Sequence, residues 1–187
     1  MVQTPIKPIT LSAFLALPET EPASEFIDGK ITQKPMPKGK HSRLQTKLSI
    51  VLSDFLESAG TGLALTELRC NFGGAVVVPD VVVLQSSQIP RDADGDIADI
   101  VEVAPELVVE ILSPQQSQTK IIKKISHCLA HGTELSWLID PQERTVLVFR
   151  PDQAIAILEA ADAQLPMPDV LSAFTLTVGT LFGWLQV

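Results

Sequence analysis

The sequence predicts a mixed α/β (α+β) fold, with helices flanking a β-sheet in a single domain over residues 1–187. Three observations support this prediction. Strand-like and helix-like segments alternate, several strand segments are apolar on both faces as in a buried sheet, and no Gly/Ser-rich linker divides the chain. With 187 residues, of which 45% are hydrophobic, the chain can bury the core of one domain.

The first elements are predicted from breakers and apolar spacing. A short helix is expected over residues 10–17, where Pro18 ends it. Residues 24–33 carry Asp28-Gly29 between apolar residues, which is a strong hairpin signal. After a proline-rich loop, apolar residues at helical spacing predict a helix over 41–58, followed by glycines.

The middle of the chain is predicted to form strands of a buried sheet. Strands are predicted at 63–71 and at the apolar, β-branched run 76–84, and they are joined across Gly73-Gly74. A polar, acidic excursion over 86–104 precedes a third strand at 107–112.

A helix and further strands complete the predicted chain order. Apolar periodicity predicts the helix, and short apolar runs separated by turn residues predict the strands. The segments are a turn at 114–118, a helix at 119–131 closed by Gly132, strands at 135–140 and 145–150 around Asp140-Pro141, a strand at 154–159, and a strand with a short amphipathic helix at 174–187.

The charge distribution bears on possible partners. A net charge of −8 argues against a uniformly basic nucleic-acid binder. Six of the 14 basic residues nevertheless lie together with no acid among them, at Lys30, Lys34, Lys38, Lys40, Arg43 and Lys47. Such a segment can hold a phosphate backbone, and the alternative is a solvated loop and helix face.

Composition also limits the compartment and the class of protein. No basic-then-apolar signal segment and no bilayer-length apolar run occur, so a membrane partner is not expected. The two cysteines, Cys70 and Cys128, supply neither a disulfide framework nor a zinc quartet. The expected compartment is therefore the cytoplasm.

Two carboxylates stand in apolar strand segments where burial would be costly. Asp80 follows Pro79 within the run 76–84, and Glu110 lies within 107–112. A buried carboxylate must be protonated, paired or bound to a metal, and hard oxygen ligands suit Mg²⁺ or Mn²⁺. A shared cation is one interpretation. The alternative is that both lie at strand ends and bind backbone amides or lysines.

The predicted helix 119–131 supplies a lysine next to its buried face. At about 100° per residue, Lys124 lies beside the apolar stripe that includes Ile121 and Cys128, so it is best placed to reach the sheet. A lysine near two carboxylates would orient or activate an attacking water.

Two other patterns are weaker metal signals. His127 and His131 have the i, i+4 spacing of a metal pair, but no third ligand or nearby glutamate accompanies them. The acidic loop from Asp92 to Asp99 resembles a calcium loop, yet Val103 stands where the closing glutamate would be. A solvated acidic loop is the better interpretation.

The order of these motifs resembles a known family. Pro79-Asp80, then Glu110 within Val-Val-Glu-Ile-Leu-Ser-Pro, then a lysine-bearing helix, resembles the PD-(D/E)XK nuclease superfamily. More narrowly, the chain resembles the Uma family of restriction-endonuclease-fold proteins, a domain of unknown function. Further matching segments are Ser24–Lys30, His41 after the proline-rich loop, Pro105–Pro114, His131-Gly132 and Trp137–Pro141.

The resemblance implies a restriction-endonuclease-like mixed sheet flanked by helices, and divalent-metal phosphodiester hydrolysis. Asp80 and Glu110 match the family's metal-binding acids, the backbone carbonyl of Ile111 is a further expected ligand, and Glu25 matches an acidic position that would hold a water or a second metal. Lys124 matches the lysine, which the superfamily usually carries two residues after the second acid, at what is here Leu112.

Two positions depart from the family's pattern in the same helix. Lys120 replaces the usual aspartate four residues before the lysine, and Cys128 replaces the usual tyrosine one turn after it. Neither change removes a proposed metal ligand, but an extra lysine could pair with Glu110 or compete with Lys124.

The leading hypothesis is a Mg²⁺- or Mn²⁺-dependent DNA endonuclease. Asp80 and Glu110 would hold the ion, Lys124 would position the water, and the basic segment would contact the backbone through Lys38, Lys40, His41 and Arg43. The alternatives are a catalytically silent nuclease fold that binds nucleic acid or regulates, and a protein-interaction module. A homodimer is expected by analogy with restriction-type folds.

Overall fold

The computed structural model describes residues 9–114 and 116–186, and in this part of the chain helices flank two β-sheets. The helices are α1 (Leu11–Leu15), α2 (Gly39–Ala59), α3 (Gln118–Ala130) and α4 (Val178–Gly183). The strands are β1 (Ser24–Ile27), β2 (Lys30–Gln33), β3 (Gly62–Thr66), β4 (Cys70–Phe72), β5 (Ala75–Val77), β6 (Val81–Gln85), β7 (Leu107–Ile111), β8 (Leu135–Asp140), β9 (Thr145–Phe149) and β10 (Ala156–Leu158). The predicted mixed fold with flanking helices is confirmed.

The smaller sheet has four strands in the order β2-β1-β5-β4, all antiparallel. Its β1–β2 hairpin turns at Asp28-Gly29, and both residues have positive φ, 51° and 73°. Asn, Asp and Gly tolerate that conformation, which is why this dipeptide predicted the turn.

The larger sheet has six strands in the order β10-β9-β8-β7-β6-β3. Only β7 and β8 pair in parallel among the described strands, and α3 connects them as a crossover helix. Antiparallel neighbours can be joined by tight turns, whereas a parallel pair needs such a crossover. This topology places α3 across one face of the sheet, next to β7 and β8.

The two long helices cover opposite faces of the six-stranded sheet. Four leucines of α2, Leu44 to Leu56, pack with the odd-numbered residues of β6 and β7, such as Val81 and Val109. From α3, Cys128 packs with the even-numbered Val82 and its neighbours. Strands buried on both faces explain the continuous apolar runs in the sequence.

Both strands predicted around Gly73-Gly74 are divided in the structure, so this prediction was wrong in its boundaries. The run 63–71 becomes β3 and β4 in different sheets, with a break at Glu67, whose φ is +51°. The run 76–84 becomes β5 and β6 in different sheets, separated by residues 78–80. Pro79 cannot donate to a ladder, and the chain changes sheets there.

The strand predicted at the start of 174–187 was also wrong. Residues 174–176 are irregular, and Thr177 makes an isolated bridge with Gln164 before α4 begins. The apolar side chain of Leu176 is buried without a ladder, so its burial alone gave the strand-like pattern. Residue 187 lies outside the described residues.

The other predicted elements agree with the structure to within a few residues. Position 115 of the predicted turn 114–118 lies outside the described residues, as do residues 1–8. A single domain spanning 1–187 therefore stays a prediction. Within the described ranges, no helix is long and apolar enough to cross a membrane.

Candidate active site

Asp80 and Glu110 face each other where the chain passes from one sheet to the other. Asp80 follows Pro79 in the break between β5 and β6. β6 and β7 are antiparallel with Val81 opposite Val109, and the same register places Asp80 opposite Glu110. Both carboxyl residues are only 2% exposed. The strand-end position predicted by the alternative interpretation therefore describes Asp80, whereas Glu110 lies within β7.

Both oxygens of the Asp80 carboxylate have hydrogen-bond donors. Oδ1 accepts from Lys34 Nζ at 2.8 Å, and Oδ2 accepts from the Ile111 amide at 2.6 Å and from His41 Nε2 at 3.0 Å. Burial alone would raise the pKa of Asp80, but the hydrogen bond from His41 and the charge of Lys34 outweigh it and hold the pKa well below its usual range. Asp80 is therefore ionised at neutral pH.

Lys124 reaches from α3 to two carboxyl groups beneath the sheet. Its Nζ lies 2.7 Å from Glu25 Oε1 and 2.7 Å from Glu110 Oε1, and the residue is 4% exposed. Glu25 Oε1 also accepts a hydrogen bond from the Val78 amide at 2.8 Å. The inward direction that helical spacing predicted for Lys124 is what the structure shows.

Lys124 and Glu110, which contact each other, both have a pKa above the ordinary value of their side chain. Burial is the largest influence on the pKa of Glu110 and raises it to about 8, against the opposing charge of Lys124. Burial by itself would lower the pKa of Lys124, but the charges of Glu110 and Glu25 outweigh it and raise the pKa. Lys124 therefore remains an ammonium group, whereas Glu110 takes up a proton readily.

A second lysine, Lys34, enters the site from the end of the β1–β2 hairpin. In addition to Asp80, its Nζ donates to Glu67 Oε2 at 2.7 Å and to the Val78 carbonyl at 2.8 Å. Gln45 from α2 donates to Glu67 Oε1 and to the backbone carbonyl of Asp80. These contacts tie the two sheets and α2 together around Asp80.

The donor set fits a hard divalent cation. The three buried carboxyl groups of Glu25, Asp80 and Glu110 outnumber the two ammonium groups that contact them, those of Lys34 and Lys124, so full ionisation of the carboxyls leaves a negative charge that a cation would balance. Oε1 of Glu110 approaches the lysine, but no aligned hydrogen-bond donor to it is found within the described residues. No cluster of three or more His, Cys, Asp or Glu able to hold a metal occurs in these residues. Two carboxylates are nevertheless enough for Mg²⁺, which keeps several waters.

Open clefts reach the charged residues from both sides of the segment 34–37. On one side a cleft of about 540 Å³ is lined by Glu25, Lys34 and Lys124. On the other a cleft of about 650 Å³ is lined by Lys34, His41 and Asp80. A ligand could therefore reach Asp80 from one cleft, and Glu25 and Lys124 from the other, without unfolding a strand, whereas Glu110 lines neither of these two clefts.

Sequence and structure comparisons show which family the chain belongs to. A family model described as "Uma2: Putative restriction endonuclease" matches residues 11–179. The chain belongs to the Uma2 family. No curated protein matches its sequence.

Solved structures include a close relative of this Uma2 chain. A crystal structure of a putative nuclease belonging to DUF820 from Anabaena variabilis ATCC 29413 is 51% identical, with a TM-score of 0.92, over 95% of this chain and 99% of that one. A cryo-electron-microscopy structure of a DrdV–DNA complex has 15% identity and a TM-score of 0.40 over 66% of this chain and 84% of that one. A TM-score this low does not establish a shared fold.

The structure brings most of the predicted site residues of this Uma2 chain together. Asp80, Glu110, Lys124 and Glu25 are in one contact network, and Ile111 touches it through its amide. His41, predicted to contact nucleic acid, is instead buried against Asp80.

The other predicted nucleic-acid contacts lie outside this network. Lys38 and Lys40 are exposed and line a third cleft, of about 530 Å³, that His41 also lines. Arg43 is exposed too, but its Nε donates to the carbonyl of Trp184, the residue after α4. Lys38 and Lys40 are therefore better placed than Arg43 to meet a ligand at the site.

Sequence reasoning missed the roles of Lys34, Glu67 and Gln45 around Asp80. Lys34 was counted only as part of a basic segment. The contact between Lys34 and Asp80 joins residues 46 positions apart, which no local pattern reveals. Glu67 lies in a segment that also contains Thr66, Arg69 and Asn71, so its charge did not stand out in the sequence.

The side chains of the two weaker metal patterns contact backbone groups instead. His127 Nε2 lies 3.2 Å from the Phe72 carbonyl, and His131 Nδ1 lies 2.8 Å from the His127 carbonyl, with the rings stacked at 4.2 Å. In the acidic loop, Asp92 Oδ1 accepts from the amides of Asp94 and Asp96, which is a local turn.

Proposed function

We propose that this chain is a divalent-metal-dependent endonuclease that hydrolyses phosphodiester bonds of DNA, with Mg²⁺ or Mn²⁺ as its cofactor. The observation that carries the proposal is the buried, opposed pair Asp80 and Glu110, with Lys124 in contact with the second acid. Membership of the Uma2 family and the 51% identity to the putative nuclease from Anabaena variabilis support it.

The residues that would hold the cation are Asp80 and Glu110, together with the backbone carbonyl of Ile111. Carboxylate and carbonyl oxygens are the ligands that Mg²⁺ and Mn²⁺ prefer. When bound, such an ion supplies Lewis acidity at a phosphoryl oxygen and lowers the pKa of a coordinated water. The Ile111 amide and His41 fix the orientation of the Asp80 carboxylate before any ligand arrives.

Lys124 would orient the attacking water and stabilise negative charge near the scissile phosphate. Its ammonium lies at the base of the cleft and keeps its proton, because the carboxyls around it raise its pKa. Glu25 holds Lys124 and, through the Val78 amide, the backbone next to Pro79. We therefore assign Glu25 a positioning role rather than that of a second metal ligand.

DNA is the proposed partner, and its backbone would pass along the exposed lysines. Lys38 and Lys40 lie at the N-terminal end of α2, beside the site, where their charges can meet phosphates. His41 would orient the Asp80 carboxylate rather than contact DNA. Arg43 would contribute positive charge at the edge of the DNA-binding surface. A homodimer and a cytoplasmic location remain expectations from the sequence.

A catalytically silent nucleic-acid-binding module is the second candidate. The observation that favours it is the occupation of both acids by lysines, Asp80 by Lys34 and Glu110 by Lys124. Lys120, which replaces the family's aspartate, is exposed in the cleft wall, and the described residues give it no ion pair. It therefore does not block Glu110, and the catalytic proposal is preferred.

The test is cleavage of supercoiled plasmid and single-stranded DNA in Mg²⁺, in Mn²⁺ and in EDTA. We expect metal-dependent cleavage by the wild type and its loss in Asp80→Ala and Glu110→Ala, with Asp54→Ala on the exposed face of α2 as the matched control. Melting curves would verify that the variants fold. Unchanged cleavage by either site variant would exclude the assignment, and DNA binding without cleavage in any metal would support the silent module.

A further inference from the structure

The side chain of Lys34 is buried against a proposed metal ligand. Its side chain is 9% exposed, and its ammonium donates to Asp80 Oδ1, Glu67 Oε2 and the Val78 carbonyl. An ammonium group has three N–H donors, so these contacts use all of them. All three donors of Lys34 are therefore satisfied by acceptors of the site.

Lys34 donates to Asp80 Oδ1, which is the oxygen of this carboxylate that a cation could reach most easily. Asp80 Oδ2 already accepts from the Ile111 amide, which β7 holds in place, and from His41. Oδ1 has Lys34 as its hydrogen-bond donor in the described structure, and a lysine side chain can move whereas a strand amide cannot. A cation that binds Asp80 through Oδ1 must share or displace this ammonium.

Glu67 is a second carboxylate partner for the ammonium group of Lys34. It is half-exposed, with 44% of its side chain accessible, and its Oε2 is 2.7 Å from the lysine nitrogen. Gln45 holds the other Glu67 oxygen at 2.8 Å. If Lys34 leaves Asp80, it can keep Glu67 and the Val78 carbonyl, so displacement costs one of three hydrogen bonds.

We propose that Lys34 competes with the divalent cation for Asp80 and so sets the metal affinity, while Glu67 holds the ammonium after displacement. This inference rests on the proposed metal site. Lys34 is a positioning residue that balances the charge of Asp80 until a cation arrives. After displacement it stays with Glu67 in the cleft of about 650 Å³, which Lys34, Glu67 and Asp80 line.

The test measures Mn²⁺ binding by titration calorimetry on the full chain, independently of cleavage. The variants are Lys34→Met, Glu67→Gln and their combination, with Lys30→Met, an exposed lysine of β2, as the charge-matched control. We expect Lys34→Met to bind Mn²⁺ about tenfold more tightly than the wild type, a coupling typical of competing ligands. Lys30→Met should stay within about twofold, because an exposed charge is screened.

Glu67→Gln separates displacement of Lys34 from simple charge effects. Alone, this substitution should weaken Mn²⁺ binding by about threefold, because the Lys34 ammonium loses its second carboxylate partner and competes more strongly with Mn²⁺ for Asp80. Combined with Lys34→Met, it should change the affinity by less than about twofold. An equal effect in both backgrounds would mean that Glu67 acts on the cation directly.

The outcomes distinguish the two proposals. If the wild type binds Mn²⁺ and Lys34→Met binds it equally or more weakly, competition by Lys34 is refuted while the metal site stands. If neither the wild type nor Lys34→Met binds, the metal site fails and the inference fails with it. Should Lys34→Met not fold, the Glu67→Gln shift in the folded chain decides, because an unchanged or tighter affinity contradicts the inference.

Discussion

Replacing Lys124 with methionine should destabilise the protein strongly, because two buried carboxyl groups lose their shared cation. The Lys124 nitrogen lies 2.7 Å from an oxygen of Glu25 and 2.7 Å from one of Glu110. At an effective dielectric constant of about 20, each contact corresponds to about 6 kcal/mol of Coulomb attraction. Much of this offsets the desolvation of the charges, and removing one partner of a buried pair typically costs about 3–5 kcal/mol.

The loss of folding stability caused by Lys124→Met should depend on pH. Glu110 can take up a proton, since its pKa is already about 8, so we expect the lower end of that range near neutral pH. Removal of the ammonium raises the pKa of Glu110 further. The folded variant then binds a proton that the unfolded chain does not bind above the ordinary value of 4.5, and its stability falls as pH rises.

Urea unfolding followed by tryptophan fluorescence measures this loss, since Trp137 is fully buried. Methionine keeps the unbranched stem and nearly the same helix propensity, so packing changes little. Lys123→Met, on the exposed side of the same helix, is the matched control and should change stability by less than about 0.5 kcal/mol. A loss in Lys124→Met no larger than in Lys123→Met would refute the account of the buried pair.

Two further predictions concern stability. Because the folded pKa of Glu110 is about 8 against 4.5 when unperturbed, its contribution to stability is present below pH 4.5 and is lost as pH rises toward 8. Glu110→Gln should therefore gain stability relative to the wild type between pH 5 and pH 8, as measured by urea unfolding in EDTA; a constant difference would contradict the raised pKa. Gly62→Ala should lower stability by about 2 kcal/mol in the same assay, because its Cβ would collide with the Leu84 carbonyl on β6, whereas Gly39→Ala meets no neighbour. Equal stabilities of these two glycine variants would contradict the prediction and would mean that β3 can shift to accommodate the added methyl group.

Local patterns in the sequence were enough to locate much of the fold. The Asp28-Gly29 turn and the leucine spacing of α2 act over a few residues, and both appear as predicted. The inward direction of Lys124 likewise follows from helix periodicity and its apolar neighbours. Each of these features is decided by backbone geometry within one element.

The remaining features depend on contacts between distant parts of the chain. A continuous apolar run concealed the change of sheet at Pro79, because burial on both faces looks the same in either sheet. The role of Lys34 depends on Asp80, and that of Glu25 on Lys124, which is 99 positions away. The hydrophobic pattern specifies burial but not which charged residues meet.

The position of Asp80 at the crossing between the two sheets has a consequence for folding. The site draws Glu25 and Lys34 from the β1–β2 hairpin, Glu110 from the larger sheet and Lys124 from α3. Contacts of such long sequence separation close slowly and late, because large loops must be ordered first. We therefore expect a partly folded chain to have secondary structure but no assembled site.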